Sequence, residues 1–416
     1  MLSLKTNIRW LALLLFIIFL HQLYYISSPS KHGCGADLPI EFLYIPDTYD
    51  NGFSGETAIT GPDGYKGHFI KVDCDIGGVI IPTGSPKNYI LLENSNSIER
   101  PLHNLSAIPL RYVATAVLKS FNIPIENTYI NIYLSRGKVF QLQFYLSWYY
   151  AHVLQNLLII IFTFYMYSRY IKINLITTGA FYFLFYIPVL GRELLSPDMS
   201  LWIPFSIMLL FVTYKEFNQP KNRKKIIFLT SFSILFYPIF IINYFYLGLR
   251  YLKSLLKKQI NFKSSFIEGL FLIAPYFFYR VFLRFQDINF VPVTMKYVNE
   301  NVECTVYCQG VWMFIDANIQ NGVLNELFRR INYYIDQGEF NYFGVLFLIF
   351  FALEIINKKP DFTNFDLFLI IFSSLVFLFF AGNFIDRYIN VVPSILIVNS
   401  LSNIFKKNKS DFEKLQ

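Results

Sequence analysis

Long apolar runs separated by short basic stretches make up most of this chain, interrupted once by a polar segment of domain size. The apolar runs cover residues 10–26, 148–167, 175–190, 201–214, 266–282, 340–356, 365–381 and 388–404. Such a run forms a helix able to cross about 30 Å of hydrocarbon, because a helix satisfies its own backbone polar groups in lipid. The pattern predicts an all-α polytopic membrane protein with about 8 crossings. The first run follows Lys5 and Arg9, is long for a signal-peptide core and has no clean small-x-small cleavage site after it. Residues 1–27 are therefore read as an uncleaved transmembrane anchor. Residues 28–147 are expected to form an external loop domain of mixed structure. Residues 148–416 are expected to form a polytopic transmembrane domain with a further external loop at 283–339.

Positive charge sets the orientation, since short cytoplasmic loops retain Lys and Arg. Arg169 and Lys172 begin the series, followed by Lys215, Lys221, Arg223, Lys224 and Lys225. Arg250, Lys253, Lys257, Lys258 and Lys263 come next, then Lys358 and Lys359, and finally Lys406, Lys407 and Lys409. All of them mark one side, the cytoplasm. Segment 226–249 is apolar yet basic on both flanks, so a single crossing would strand one cluster outside. Pro238 stands near its middle, where the missing backbone donor interrupts a helix. A hairpin of two short helices, entering and leaving on the cytoplasmic side, removes the conflict; a bent single crossing is the alternative. With the hairpin, both termini are cytoplasmic, as expected for an integral protein of a bacterial inner membrane.

Composition agrees with this reading. Over 416 residues the chain is 54% hydrophobic, 19% aromatic and 15% charged, which is not the balance of a water-soluble globular protein. The net charge of +8 then reflects topology and contact with anionic membrane lipid, and no nucleic-acid partner is expected. All four cysteines fall in segments assigned outside. Cys34 with Cys74 and Cys304 with Cys308 is the favoured disulfide pairing of the three that exist, since each bridge closes within its own loop. Zinc is the competing use of these thiols, but no histidine stands at ligand spacing near Cys304.

The stretch from Tyr49 to Phe69 is rich in Gly, Asp and aromatics, a turn-forming composition that positions side chains without long regular structure. Segment 108–121 has helical spacing of apolar residues around Arg111 and Lys119 and is expected to lie flat on the membrane. Gly64-Tyr65-Lys66-Gly67-His68-Phe69 forms a glycine-aromatic motif, and Arg100-Pro101-Leu102 follows some way on. With the anchor, the Pro-containing hairpin and Arg387 near the last helix, these features resemble the polytopic GT-C glycosyltransferases. The resemblance implies an inverting single displacement that takes sugar from a polyprenyl-phosphate carrier. It implies no cofactor, and such a displacement is metal-optional, with no ligand spacing here to indicate a divalent ion. Lys66 occupies a position where bacterial relatives would carry an acid, so the resemblance alone does not name the base.

Transfer to an acceptor hydroxyl needs a carboxylate to take its proton and cations or donors to stabilise the departing phosphate. Asp63 is the first candidate base, with Asp50 and Asp47 beside it; the competing reading makes each a turn former near Gly and Pro. Arg100, Arg192 and Arg387 are candidate phosphate ligands, because a guanidinium pairs with two oxygens at once. Arg387 is equally well read as the ion-pair partner of Asp386 or as a helix-end anchor. Glu193 and Asp198 in the short loop at 191–200 would face the same chamber, with Asp198 alternatively a helix N-cap. His68 and His103 titrate near neutral pH and could assist proton transfer, but a surface position is expected for both.

No P-loop, dinucleotide fingerprint, His-Glu-x-x-His or nucleophile elbow occurs in the chain. The expected activity is transfer of a sugar from a polyprenyl-phosphate donor to a glycan or lipid-linked acceptor on the outer face, in cell-envelope glycan synthesis. A surface polysaccharide polymerase or ligase, and a lipid-glycan transporter, are the alternatives. Against the transporter, no internal repeat is present.

Overall fold

The computed structural model describes residues 2–26, 36–39, 69–72, 101–121, 128–133, 139–144, 146–186, 201–285, 332, 340–357, 365–381 and 390–406. Most of these are helical, with two short antiparallel strand pairs. Contacts divide the chain into two units, residues 1–162 with 189–201, and residues 163–188 with 202–416.

In the first unit, α1 spans Leu2–Ile26. Leu14 and Ile18, one turn apart, are buried, whereas Ile8, Phe16, Phe19 and Leu20 are exposed, so the helix presents apolar residues on exposed faces as well as on its buried one. Strand β1, Ala36–Pro39, pairs antiparallel with β2, Phe69–Val72, with Ala36 opposite Val72. Helix α2, Pro101–Ser120, starts earlier than the expected 108. Proline at a first helical position loses no bond and already has the right φ, and His103 and Ala107 extend the buried stripe continued by Ala114 and Leu118. Tyr112, Val113, Val117 and Phe121 form a second, uncovered apolar face, the pattern of a helix lying at an interface. Strands β3, Thr128–Tyr133, and β4, Val139–Phe144, pair antiparallel and lead into α3, Leu146–Tyr170.

The second unit begins with the last turns of α3. Phe164 and Tyr167 meet the ring of Phe181 on α4, Leu175–Phe185, at 5.2 and 5.1 Å. A capping box starts α4: the Thr177 N–H donates to Asn174 Oδ1 and the Asn174 N–H to Thr177 Oγ1, each at 2.9 Å. Helix α5, Trp202–Glu216, is the centre of the unit, with residues 207 to 211 buried on every side. Further along the chain come α6, Pro220–Ser233; a 3-10 turn, Pro238–Phe240; α7, Ile241–Leu256; and α8, Phe262–Phe285. Helices α9, Phe340–Ile356, α10, Phe365–Ala381, and α11, Val391–Ile404, complete it. Helix α11 is buried from Val391 to Ser402 and packs on α5 and α9, while α10 covers α7. Among the described residues, α8 is the one helix long and apolar enough to cross a membrane, with shorter apolar helices that include α9 and α11. Phe266, Phe271, Phe277 and Phe278 of α8 are exposed.

The chain turns back on itself between α6 and α7. Arg223, near the start of α6, and Tyr251, near the end of α7, both donate to Glu268 Oε2 on α8, the arginine at 3.1 Å. On one continuous helix residues 223 and 251 would stand about 42 Å apart. At the turn, Phe236 and Phe240 pack on Trp202, which opens α5, at 4.6 and 6.0 Å. At the other end Tyr251 packs edge-on against Phe217, just past α5, at 5.1 Å. The hairpin therefore runs the length of α5, and the Tyr244 hydroxyl crosslinks its arms by donating to the Ser231 carbonyl at 2.6 Å. Helix α7 stops at a Schellman turn: Lys258 takes φ 53°, its N–H reaches the Leu255 carbonyl, and the Gln259 N–H reaches that of Ser254.

The expected cysteine pairs, Cys34 with Cys74 and Cys304 with Cys308, lie outside the described residues. Non-reducing peptide mapping is expected to recover Cys34 linked to Cys74; recovery of both as free thiols, or of Cys34 bridged to Cys304 or Cys308, contradicts that pairing.

Candidate functional site

A belt of ion pairs gathers helix ends at one end of the second unit. Arg169, closing α3, pairs with Glu216, closing α5, at 3.0 Å, and the Tyr170 hydroxyl donates to the same carboxylate oxygen. Arg223 approaches Glu268 through Nε at 3.1 Å and through a second nitrogen at 3.4 Å, with Tyr251 as the further donor. Asp366, at the start of α10, lies between Arg250 and Lys253 of α7, the lysine at 2.5 Å. Lys215 Nζ donates to Asn399 Oδ1 on α11 at 3.0 Å, and the Ser400 hydroxyl donates to Glu354 on α9. A backbone bond from the Lys172 N–H to the Phe405 carbonyl, 2.9 Å, ties the start of the α3–α4 turn to the end of α11.

These contacts share a direction. They join the C-terminal ends of α3, α5, α7, α9 and α11 to the N-terminal ends of α6, α8 and α10, which is the alternation that the basic clusters predict. The aromatic rings help to hold the cations: Arg250 and Arg223 lie over Phe217 at 5.2 and 5.9 Å, and Lys253 over Phe365 at 5.2 Å. A guanidinium stacked on a ring and paired with a carboxylate needs little water, which is why Arg250 can be buried to 3% exposure. Glu216, Glu268 and Asp366 are each occupied by cations, two of them also by a tyrosine. The belt is thus built to hold helix ends together, and these carboxylates are not poised as general bases.

Asp47, Asp50, Asp63, His68, Arg100, Arg192, Glu193, Asp198 and Arg387 lie outside the described residues, as do Cys34, Cys74, Cys304 and Cys308. His103 is the exception and corrects the expected surface position: it is fully buried on the inner face of α2. Its carbonyl accepts from Gln155 Nε2 of α3 at 2.8 Å and from the Ser106 hydroxyl at 2.9 Å, and Gln155 also donates to Ser106 at 2.6 Å. Its position three residues into a helix that begins with proline turns it inward, in line with Ala107.

Sequence reasoning passed over Glu216, Glu268 and Asp366 because it counted only basic residues at the helix ends. A signal was present, since an acid inside or beside an apolar run is costly and usually has a partner. Comparison of the chain with protein-family models, with characterised proteins and with solved structures finds no match.

The belt makes a graded prediction. Glu268→Leu removes the acceptor of two poorly exposed donors and is expected to lower stability by about 2–3 kcal/mol, read as a fall in the thermal unfolding temperature in detergent. Arg169 is 36% exposed in its side chain, so Arg169→Ala is expected to cost less than about 1 kcal/mol. Equal losses in the two variants contradict the assignment of Glu268 as the clamp.

Proposed function

We propose that this chain is a polytopic membrane glycosyltransferase that moves a sugar from a polyprenyl-phosphate carrier to a glycan or lipid-linked acceptor hydroxyl on the outer face of a bacterial inner membrane. The observation that carries the reading is the return of the chain at Pro238. With Arg223 and Tyr251 on one carboxylate, both basic flanks of segment 226–249 belong to the same end of the helical unit. That arrangement supports a cytoplasmic belt, and on this reading the polar segments at 27–147 and 283–339 would be external, where a lipid-linked sugar donor would meet its acceptor. The exposed phenylalanines of α8 and the uncovered faces of α1 and α2 support contact with lipid.

In the proposed mechanism an aspartate of the first loop, Asp63 before Asp50 and Asp47, takes the acceptor proton as the hydroxyl attacks the sugar anomeric carbon. The bond to the carrier phosphate breaks in the same step, and arginines among Arg100, Arg192 and Arg387 stabilise the phosphate that leaves. Glu193, Asp198 and His68 would line the sugar and acceptor positions.

Asp63→Asn is expected to abolish sugar transfer in membranes while expression and folding are retained; undiminished transfer removes Asp63 from the mechanism. Orientation has its own measurement. In a cysteine-free background, Lys221→Cys and Lys257→Cys are expected to react with an impermeant maleimide only once the cytoplasmic face is opened. Labelling of the two from opposite sides contradicts the hairpin topology.

A further inference from the structure

The head of α11, at the far end of that helix from the belt, carries two buried polar side chains that the protein leaves unsatisfied. Asn390 is 2% exposed and Ser394 1%, yet neither amide atom of Asn390 nor the Ser394 hydroxyl has a hydrogen-bond partner. Spaced by one turn, they lie on one face of the helix. Buried polar groups without partners are uncommon in folded proteins because each has given up its hydrogen bonds to water, and each one calls for an explanation.

Local structure does not supply one. Asn390 stands at the N-cap, where an asparagine ordinarily accepts from the N–H of the second or third helical residue. The third residue is Pro393, which has no N–H, and Asn390 has helical angles, φ −70° and ψ −8°, in place of the extended ones of a capping residue. No side-chain cap bond forms. Ser394 differs from other buried serines of the unit in the same way. Ser373, Ser374 and Ser400 donate to the carbonyls one turn back, Leu369, Ile370 and Leu396, at 2.7, 3.0 and 3.1 Å. Ser394 makes no such bond; the Asn390 carbonyl receives the Ser394 backbone N–H instead, at 3.0 Å.

The head of α11 is rich in donors. The Asn390 amide and the Ser394 hydroxyl are joined by the N–H groups of Val391 and Val392, which have no acceptor inside the helix, and the helix start adds partial positive charge. Donors of that number beside a helix start suit an oxyanion. The geometry points to a phosphate-binding site at the head of α11, in which Asn390 and Ser394 donate to the ligand's oxygens. The site rests on the proposed function for its natural ligand, the phosphate of the polyprenyl carrier; free phosphate presents the same oxygens.

The test uses the full chain in lipid nanodiscs, with a polyprenyl monophosphate incorporated in the bilayer or inorganic phosphate added to the solution, and reads binding by thermal shift. Asn390→Leu and Ser394→Ala are each expected to weaken binding by roughly tenfold or more, the effect of losing a hydrogen bond to a charged group. Without ligand, the variants are expected to unfold at an equal or higher temperature, because an orphaned polar group is gone. Ser394→Ala changes one atom and decides the matter if Asn390→Leu does not fold. Wild-type affinity in the variants overturns the site and leaves the proposed function standing. Binding of inorganic phosphate alone, lost in the variants, supports the site and removes the lipid carrier as its ligand. Binding of neither probe by the wild-type protein overturns the site.

Discussion

The carboxylate of Glu268 holds both ends of a folded-back segment, and the helical unit depends on that grip. Arg223 enters from the start of α6 and Tyr251 from the end of α7, so one acid on a third helix closes the hairpin at its mouth. With the mouth closed, both arms lie along α5 and their turn reaches Trp202 at its far end. A central helix apolar on every side can then be covered by protein on several faces, which its residues 207 to 211 require. The turn itself, with its 3-10 backbone around Pro238, is covered by Trp202 and Phe205, the condition under which irregular backbone is tolerated among apolar helices.

The two ends of the unit differ in how they treat polar groups. At the belt, Glu216, Glu268 and Asp366 each meet a cation, and several cations also meet a ring, so these charges are neutralised in pairs before they reach the apolar interior. At the head of α11, Asn390 and Ser394 are buried with nothing to bond, which is a cost to folding. Unsatisfied groups of this kind are where folds give up stability for function. The ion pairs of the belt hold helix ends together, and the unpartnered groups at the head of α11 are those the proposed phosphate site would use.

Much of the helical layout was legible before any coordinates. The runs at 340–356 and 365–381 coincide with α9 and α10, because a continuous apolar stretch has no alternative to a helix when it cannot use water. The hairpin could be inferred from Pro238 and from charge on both flanks, two features that act locally and independently of packing. The acids were harder to read: Glu268 in its sequence is one polar residue in a Phe-rich stretch, and the partners that explain it lie in other helices. His103 misled for a related reason, since a histidine beside Arg100 and Asn104 reads as exposed until the helix is seen to begin at Pro101 and rotate it inward.

By itself the sequence determined where helices form and which of their ends carry positive charge. Hydrophobic runs and basic flanks act over one or two turns and do not depend on the rest of the fold. Tertiary structure alone decided that Arg223 and Tyr251 share Glu268, that Arg250 and Lys253 enclose Asp366, and that Asn390 and Ser394 are sealed in without partners. Those outcomes depend on the rotation and depth of each helix against its neighbours. Rotation and depth are set by side-chain packing between segments far apart in the chain, and the period of a single helix does not record them.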